Sequence, residues 1–433
     1  MHRKSLKALL VGCAVLCAGV GGAQAQTISV WSRQTDESIS VLKALTDAFT
    51  ADTGIKVDTF NTGIDFEQRL ARAAAGRTLP DIVLNDTTAM GQMNQMGILR
   101  SIDQSKIAGS QDVSPAAWDG AKASDGQFYS VPISAQSFAM FIRKDWREKL
   151  NMPQPKTWED VRNLAEAFTT KDPDGNGKAD TFGMAIPGST TRGYASWYMS
   201  SFIWEAGGDY VKQEADGFVP TLNTPQVAEA LTYVRGMICD KFAQPGAINA
   251  TTGDTLPTFR SGQTGIFVSG PYHIPQLDAE PGKDVVEVVM MPAGPGGIAS
   301  LAEGTSAYLL KSVKDEEAAN KFLAFLISPK GQEIAMAQGS GRTPIVRLPV
   351  NTKVDVNAIR NDPRWTVFKE TFDKYGRYMP AVPNWTAVRT LTGDGFNRIL
   401  AQCDADVPAE LEALNKQVAT ELSGQNALSA SYK

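Results

Sequence analysis

Strand-like and helical hydrophobic patterns alternate over the first 90 residues. Short segments in which apolar and polar residues alternate are followed by longer segments whose apolar residues recur every three or four positions. In chain order the segments are TISVW, SISVLKALTDAF, IKV, FEQRLARAAAG and PDIVLND. This strand–helix–strand order predicts an α/β fold with a mostly parallel sheet.

The middle of the chain repeats this pattern. Thr157 is expected to cap the helical WEDVRNLAEAF, and Thr224 with Pro225 to open the helical QVAEALTYVRGMI. GIFVSGPY is strand-like, DEEAANKFLAFLIS is helical up to Pro329, and the chain from DPRWTVFKETF onward is mostly helical. The 433 residues exceed what one hydrophobic core usually serves, so two domains are expected.

The first 25 residues have the pattern of a cleaved export signal. Arg3, Lys4 and Lys7 precede an apolar run that ends at Ala-Gln-Ala, residues 23–25. This run is well short of the roughly 20 residues that a bilayer span needs. We expect cleavage after Ala25 and a mature protein in the periplasm.

The charge and the histidine content limit the chemistry. Loss of the leader removes three cations and no acids, so the formal charge moves from -5 to about -8. An acidic, well-mixed surface argues against nucleic-acid binding. His273 is then the one histidine of the mature sequence, which argues against a His-rich metal site and against a Ser-His-Asp enzyme.

Cys239 and Cys403 are the two cysteines that remain after cleavage, and both lie in helical patterns. An oxidising compartment permits a disulfide between them. Bridging requires Cα atoms within about 7 Å, which the sequence does not fix. A disulfide and two buried thiols are therefore both open.

The segment DPDGNGKADTFG resembles the first half of a calcium-binding EF-hand loop. The twelfth position, where a bidentate Glu should complete the oxygen cage, is Gly183. The positions that would supply oxygen ligands hold Asp172, Asp174, Asn176 and Asp180. A structural calcium site and a plain Asp/Asn/Gly turn are both open, and no metal is assigned.

A series of motifs extends from Thr27 to about Leu422. In order they are VW, TGIKV, LPDIVLND, QFYSVP, FIRKDW, TWEDV, EAGG, FVSGPY, EEAANKFLAFLISPKGQE and PNWTAVRT. In this order they resemble the extracellular solute-binding proteins of ABC importers, in the carbohydrate-binding family that includes the maltose-binding protein. The resemblance implies a two-lobe periplasmic binding protein fold that closes on its ligand by hinge motion.

The same resemblance implies how the chain divides. Each lobe is expected to be a mostly parallel sheet flanked by helices, with the ligand cleft between the lobes. The chain crosses between lobes near residues 135–142, 290–304 and 341–348. The segments are the signal peptide 1–25, the N-terminal lobe 26–137 plus 304–342, and the C-terminal lobe 138–303 plus 343–433.

Trp31 stands at the carboxyl end of the first strand, and ligands of open α/β sheets bind beyond such strand ends. A flat indole there can lie against the C–H face of a sugar, and ordinary core packing is the alternative. Similarity to the maltose-binding branch places further ligand-binding residues in loops after the strands and at the crossings. They are Gln34, Asn61, Asp86, Gln136, Trp197, Tyr272, Thr305, Arg342, Trp385 and Arg389.

The residues leave the identity of the ligand open. Thr35 and Thr88 stand where the maltose branch has charged residues. Arg33, Arg342 and Arg389 suit a carboxylate or a phosphate. A neutral sugar, an anionic sugar and a glycerol phosphoester therefore all stay open, and so does an osmolyte or an opine.

The resemblance implies a passive receptor rather than an enzyme. It would work as a monomer, without a cofactor, and would deliver a carbohydrate-like ligand to the ABC transporter permease subunits at the inner membrane. The alternative from another class is a secreted glycoside-cleaving enzyme, for which Asp86 and Glu303 are candidate acids.

Overall fold

The structure, a computed structural model, describes residues 26–34, 38–62, 65–337 and 344–432. The expected signal peptide, Thr35 and Arg342 lie outside the described residues. The strands are β1 Thr27–Ser32, β2 Lys56–Asn61, β3 Ile82–Asp86, β4 Val131–Ser137, β5 Ala139–Arg143, β6 Phe182–Ala185, β7 Val211–Glu214, β8 Gly217–Pro220, β9 Thr264–Ser269, β10 Val286–Val289, β11 Ser300–Leu309 and β12 Gly376–Arg377. The helices are α1 Ile39–Thr53, α2 Phe66–Gly76, α3 Met90–Gln95, α4 Pro115–Asp119, α5 Lys144–Lys149, α6 Trp158–Thr170, α7 Tyr194–Glu205, α8 Pro225–Cys239, α9 Thr252–Arg260, α10 Ile274–Leu277, α11 Glu316–Ile327, α12 Pro329–Ala335, α13 Val356–Arg360, α14 Pro363–Tyr375, α15 Trp385–Ala401 and α16 Val407–Gly424.

The first sheet is built on β1. Among the described residues its order is β12-β11-β3-β1-β2, with β4 on the other side of β11. β1 pairs in parallel with β2 and β3, whereas β11 runs antiparallel to β3 and β4. Alternate residues of β1, such as Ile28 and Val30, are buried, as expected for a strand with two unlike faces. The strands predicted at TISVW and PDIVLND are confirmed.

The second sheet has the order β10-β5-β9-β6 among the described residues. Only β6 and β9 pair in parallel there, and β5 runs antiparallel to both β9 and β10. This sheet is therefore mixed rather than mostly parallel. β4 and β5 form one extended segment that is interrupted at Phe138. Because β5 continues in the direction of β4, it runs antiparallel to both of its neighbours in the second sheet.

The chain passes between the two sheets at Phe138 and again between β10 and β11. These two segments are tied to each other, because the Phe138 N–H donates to Ser300 Oγ at 2.8 Å and Ser300 Oγ donates to the Phe138 carbonyl at 3.0 Å. These two passages lie within the segments 135–142 and 290–304, where lobe crossings are predicted. In the third predicted crossing the structure describes residues from 344 onward, and there Leu348 bridges to Ala135.

Two large hydrophobic cores lie against the sheets. The first core contains residues of α1 and α11 together with residues from one face of each sheet. The second core is built around α6, α7, α8, α15 and α16. α14 packs against β4 and β11 and also against β5 and β10. Because this helix contacts strands of both sheets, the division of the chain into lobes at residues 342 and 343 stays a prediction.

A capping interaction and a disulfide fix the ends of two helices. Thr157 caps α6 as predicted, since its Oγ1 accepts the Asp160 N–H at 3.2 Å and the Asp160 carboxylate accepts the Thr157 N–H at 3.0 Å. Cys239 at the end of α8 forms a disulfide with Cys403, just beyond α15, with Cα atoms 5.7 Å apart. The bridge ties together two helices of the second core.

Candidate functional site

Three adjoining cavities open where the first sheet faces α15, and we call them together the cleft. The first cavity, of about 250 Å³, is bounded by the ends of β1 and β3, by β4 and β11, and by α15. Cavities of about 480 Å³ and 330 Å³ continue from it and share lining residues with it. The cleft therefore lies beyond the carboxyl ends of the parallel strands, where the sequence places the site.

The structure brings most of the predicted site residues to this region. Among the described residues, those that line the cleft are Gln34, Asp86, Gln136, Thr305, Trp385 and Arg389. Trp197 and Tyr272 lie behind the wall of the cleft, and each contacts a side chain that lines it. Trp31 and Asn61 line none of the three cavities.

Glu303 is the half-buried acceptor at the centre of the first cavity. Its carboxylate accepts the Trp197 Nε1–H at 3.1 Å and a Gln136 Nε2–H at 2.7 Å. The Gln136 amide oxygen in turn accepts an N–H of Arg347. Burial raises the pKa of Glu303, against the opposing effect of the nearby Arg389 charge. The result is a fixed chain of donors and acceptors along one wall of the cavity.

Arg347 lies over the ring of Tyr272, with its Cζ 4.9 Å from the ring centroid, a cation–π contact. The Tyr272 hydroxyl accepts from Ser269 Oγ at 3.2 Å, and the His273 Nδ1 is 2.9 Å from the same Ser269 oxygen. Burial and the Arg347 charge lower the pKa of His273 to about 4. The imidazole is therefore neutral near pH 7 and serves to hold Ser269 and the tyrosine in place.

Arg33 and Arg389 lie in different electrostatic surroundings. Arg33 has two carboxylate partners, with its Nε 3.0 Å from Glu67 and a terminal nitrogen 2.5 Å from Asp86. The Arg389 Nε donates to the Gly193 carbonyl at 3.5 Å, and among the described residues no carboxylate oxygen lies within 4.0 Å of this guanidinium group. Burial lowers the pKa of Arg389. One guanidinium is thus neutralised by the protein, and the other is not.

Two indole rings of the second core lie at the cleft, one lining it and one behind its wall. Trp197 on α7 is buried and packs edge-on against Phe138 at 4.4 Å between centroids, while its N–H points to Glu303. Trp385, the first residue of α15, lines two of the three cavities and packs edge-on against Tyr210 at 5.3 Å. Trp385 and Arg389 are four residues apart on α15, so they lie one helical turn apart on the same wall of the cleft.

Trp31 packs away from the cleft. Its ring lies 5.1 Å from that of Phe60, and it contacts a small hydrophobic cluster that includes Phe66 of α2 and Met93 of α3. The alternation of β1 explains this placement, because Trp31 and the buried Ser32 point to opposite faces of the sheet. These are the packing contacts that the sequence left open as the alternative, and a role of this ring in ligand binding stays a prediction.

Asn61 acts on the site through its neighbour. Its Nδ2 donates to the Gln34 carbonyl at 2.9 Å, and the Gln34 side chain donates to Thr305 Oγ1 at 3.4 Å. Asn61 therefore holds the loop after β1 against β11. The position of Asn61 at the end of β2 agrees with the prediction. Its side chain contacts the backbone of Gln34, which is itself a predicted site residue.

The loop at 172–183 is closed by its own hydrogen bonds. The Asp172 carboxylate accepts the backbone N–H groups of Gly175 and Asn176, both at 3.1 Å. The Asn176 side-chain amide donates to Asp174 at 2.8 Å and to Asp180 at 3.1 Å. In the described part of the chain there is no group of three or more His, Cys, Asp or Glu side chains that could hold a metal ion. The geometry is that of an Asp/Asn/Gly turn.

Arg347 is the cleft residue that sequence reasoning missed. The prediction chose Arg342 for the third crossing, and the structure shows Arg347, five residues later, in the first cavity. The signal was present, because both residues lie in the predicted crossing 341–348. Arg347 reaches the first cavity because the adjacent Leu348 pairs with Ala135, which fixes the path of the described residues there.

Comparison with known proteins gives the family. Residues 34–333 match the model of the bacterial extracellular solute-binding proteins, and the chain belongs to this family. A binding protein of Brucella abortus (strain 2308) is 26% identical over 281 residues, which cover 64% of this chain and 63% of the relative. A maltooligosaccharide ABC transporter solute-binding lipoprotein of Streptococcus pneumoniae (strain R6) is 24% identical over 402 residues, 88% of this chain and 86% of the relative.

A solved structure gives the fold. The cyclic alpha-maltosyl-1,6-maltose binding protein from Arthrobacter globiformis superimposes with a TM-score of 0.76 at 21% identity, over 92% of this chain and 100% of the other. The two-lobe periplasmic binding protein fold is thereby confirmed. The match to the Brucella protein spans a little under two thirds of that relative's length. The family and these neighbours are binding proteins rather than enzymes.

Among the helices that the structure describes, none combines the length and the apolar character needed to cross a membrane.

Proposed function

We propose that this protein is the substrate-binding component of an ABC importer and captures a sugar or sugar derivative in the cleft. The observation that carries the proposal is the chain Arg347–Gln136–Glu303–Trp197 along the wall of the first cavity. A sugar offers hydroxyl groups that both donate and accept, together with an apolar C–H face. Fixed carboxylate, amide and guanidinium groups beside the Trp385 ring suit both features.

The printed functions of two neighbours support this choice of ligand. The Streptococcus relative is a maltooligosaccharide receptor, and the Arthrobacter structure is of a protein that binds a cyclic maltosyl-maltose. Thr88 stands in the cleft where the maltose branch carries charge. We therefore assign the general class, a saccharide, rather than maltose.

We further propose that binding closes two lobes, 26–137 plus 304–342 and 138–303 plus 343–433, about the chain crossings. The first cavity is bounded by β1, β3, β4 and β11 on one side and by α15 on the other. A hydrogen bond joins the Gln136 side chain of β4 to Glu303 at 2.7 Å, and another joins the Gln213 side chain of β7 to the Ser124 carbonyl at 2.8 Å, and each connects the two segments of this division. A ligand between these elements would add contacts to both sides and favour the closed state.

The test is a thermal-shift screen of the mature protein, residues 26–433, against monosaccharides, oligosaccharides, amino acids and osmolytes. A tight ligand raises the folding stability by RT ln(1 + [L]/Kd), so a saccharide at 100 times its Kd should stabilise the protein by about 2.7 kcal/mol. Small-angle scattering should then show a smaller radius of gyration with that saccharide. A screen in which only non-sugars stabilise the protein would refute the assignment.

Recovery of the ligand tests the enzymatic alternative. An oligosaccharide incubated with the pure protein should be recovered unchanged, and its cleavage would favour the glycoside-cleaving enzyme instead. Delivery to a permease can be tested by measuring uptake of the identified saccharide in cells with and without this gene.

A further inference from the structure

Among the residues that the structure describes, the first cavity is lined by more cationic than anionic groups. This lining contains three guanidinium groups, those of Arg33, Arg347 and Arg389, and two carboxylates, those of Asp86 and Glu303. The whole chain is acidic, with a formal charge of -5. The local excess of positive charge is therefore opposite to the average of the molecule.

Arg33 does not contribute to this excess. It is held between Glu67 at 3.0 Å and Asp86 at 2.5 Å, so two carboxylates already surround one guanidinium. That leaves the single carboxylate of Glu303 for the remaining two cations.

Arg347 and Arg389 lack a direct carboxylate partner. Arg347 donates to the neutral Gln136 amide and lies over Tyr272, and the Arg389 Nε donates to the Gly193 carbonyl at 3.5 Å. Among the described residues, neither guanidinium has a carboxylate oxygen within 4.0 Å. Both side chains are half-buried, and a desolvated charge is costly without a paired charge of opposite sign.

Glu303 cannot serve both cations fully. Its two oxygens accept one N–H each, from Trp197 and from Gln136, and among the described residues it lies more than 4.0 Å from both guanidinium groups, so its charge acts on Arg389 at longer range. A neutral sugar would leave the two guanidiniums with this one shared carboxylate. An acidic sugar would bring a carboxylate of its own within reach of both guanidinium groups.

We propose that the captured saccharide carries a carboxylate, as a uronate does, and that Arg389 together with Arg347 binds it. This inference rests on the proposed function and specifies its ligand class. A guanidinium donates two parallel N–H bonds to a carboxylate, and lysine cannot reproduce that two-point contact. Arg389 and Arg347 are in this view the specificity-determining residues of the cleft.

The experiment is calorimetric titration of the mature protein with matched neutral and acidic sugars. The pairs are galactose with galacturonate, glucose with glucuronate, and galactobiose with digalacturonate. Galactose 1-phosphate is added to separate a carboxylate preference from a general preference for anions. We expect at least one acidic sugar to bind about 10- to 100-fold more tightly than its neutral partner, with affinity that falls as NaCl is raised.

Variants test the two arginines. Arg389→Lys and Arg347→Lys should each weaken the acidic sugar about tenfold or more, with little change for the neutral partner. Arg398→Lys is the matched control, because Arg398 lies on the same helix as Arg389 but pairs with Glu410 at 2.9 Å outside the cleft. The wild-type ratio of acidic to neutral affinity needs no variant, so it decides the question even if Arg389→Lys unfolds.

The outcomes separate the two proposals. Neutral sugars that bind as tightly as acidic ones, or lysine variants that keep full affinity for the acid, would overturn the acidic-ligand inference and leave a sugar receptor. Tighter binding of galactose 1-phosphate than of every carboxylate would overturn the carboxylate assignment. If no saccharide of either kind binds, the proposed function itself is overturned and the inference with it.

Discussion

Glu205 gives the stability of this protein a pH dependence that one substitution should remove. Its side chain is fully buried in the second core. One carboxylate oxygen accepts the Trp158 Nε1–H at 2.7 Å, and the other has no hydrogen-bond partner among the described residues. Burial raises the pKa of Glu205 well above its ordinary value of 4.5.

The sign follows from proton linkage. Between the unfolded pKa of about 4.5 and the raised folded pKa, the folded protein binds the extra proton. The stabilisation by the protonated form is therefore complete below about pH 4.5 and is lost as the pH rises through the folded pKa. Within this window the free energy of unfolding should fall by about 1.4 kcal/mol per pH unit because of this one group.

The perturbation is Glu205→Gln, which keeps the shape and a carbonyl oxygen for Trp158 but does not titrate. Tyr198 and Tyr233 lie near the carboxyl group, and burial raises the pKa of each above 10, so neither titrates in the window. The matched control is Glu229→Gln, which removes an exposed carboxylate from α8.

The assay is urea denaturation of the three proteins at half-unit steps from pH 5 to pH 9. Groups other than Glu205 titrate alike in all three, so they cancel in the difference between wild type and variant. We expect the free energy of unfolding of Glu205→Gln, minus that of wild type, to increase by about 1.4 kcal/mol per pH unit between the unfolded and the folded pKa of Glu205. The profile of Glu229→Gln should follow that of wild type. Parallel profiles for wild type and Glu205→Gln would refute the reasoning.

Three further predictions concern the disulfide, the cleft and the first strand. Replacing Cys239 and Cys403 by Ser opens a loop closed over 164 residues and should cost up to about 5 kcal/mol of stability by loop entropy; a urea midpoint equal to that of wild type would contradict this. Glu303→Gln should weaken the binding of a neutral saccharide about tenfold by calorimetry, because a charged hydrogen-bond acceptor of the first cavity is lost, while the unfolding free energy hardly falls since the half-buried charge is gone; equal affinity would argue against a ligand role. Trp31→Leu should lower the thermal midpoint without changing saccharide affinity, and the reverse result would place the ring in the site.

Much of the fold was predictable from the sequence because its signals are local. The alternation in TISVW, the capping residue Thr157 and the stop at Pro329 each depend on a few neighbouring residues, and the structure has β1, α6 and the end of α11 at these places. The order of motifs along the chain resembled one family, and residues 34–333 match its model. A strand with two unlike faces or a capped helix is favoured by the same short-range physics in any fold.

The direction of a side chain at the site was decided by tertiary structure. Trp31 and Ser32 are adjacent in sequence, and only the packing of α2 and α3 on one face of the sheet determines which of them is turned from the cleft. The mixed order of the second sheet likewise follows from the path of β4 and β5 between the sheets. Neither is encoded in the hydrophobic pattern of one segment.

The charge balance of the cleft was also beyond the sequence. Arg33 and Arg389 are both arginines at predicted loop or helix starts, yet Arg33 is enclosed by two carboxylates and Arg389 by none within direct reach among the described residues. Glu303 and Arg347 join the same cavity from different crossings of the chain. Electrostatic pairing depends on distances of a few ångströms between residues far apart in sequence, and those distances exist only once the chain has folded.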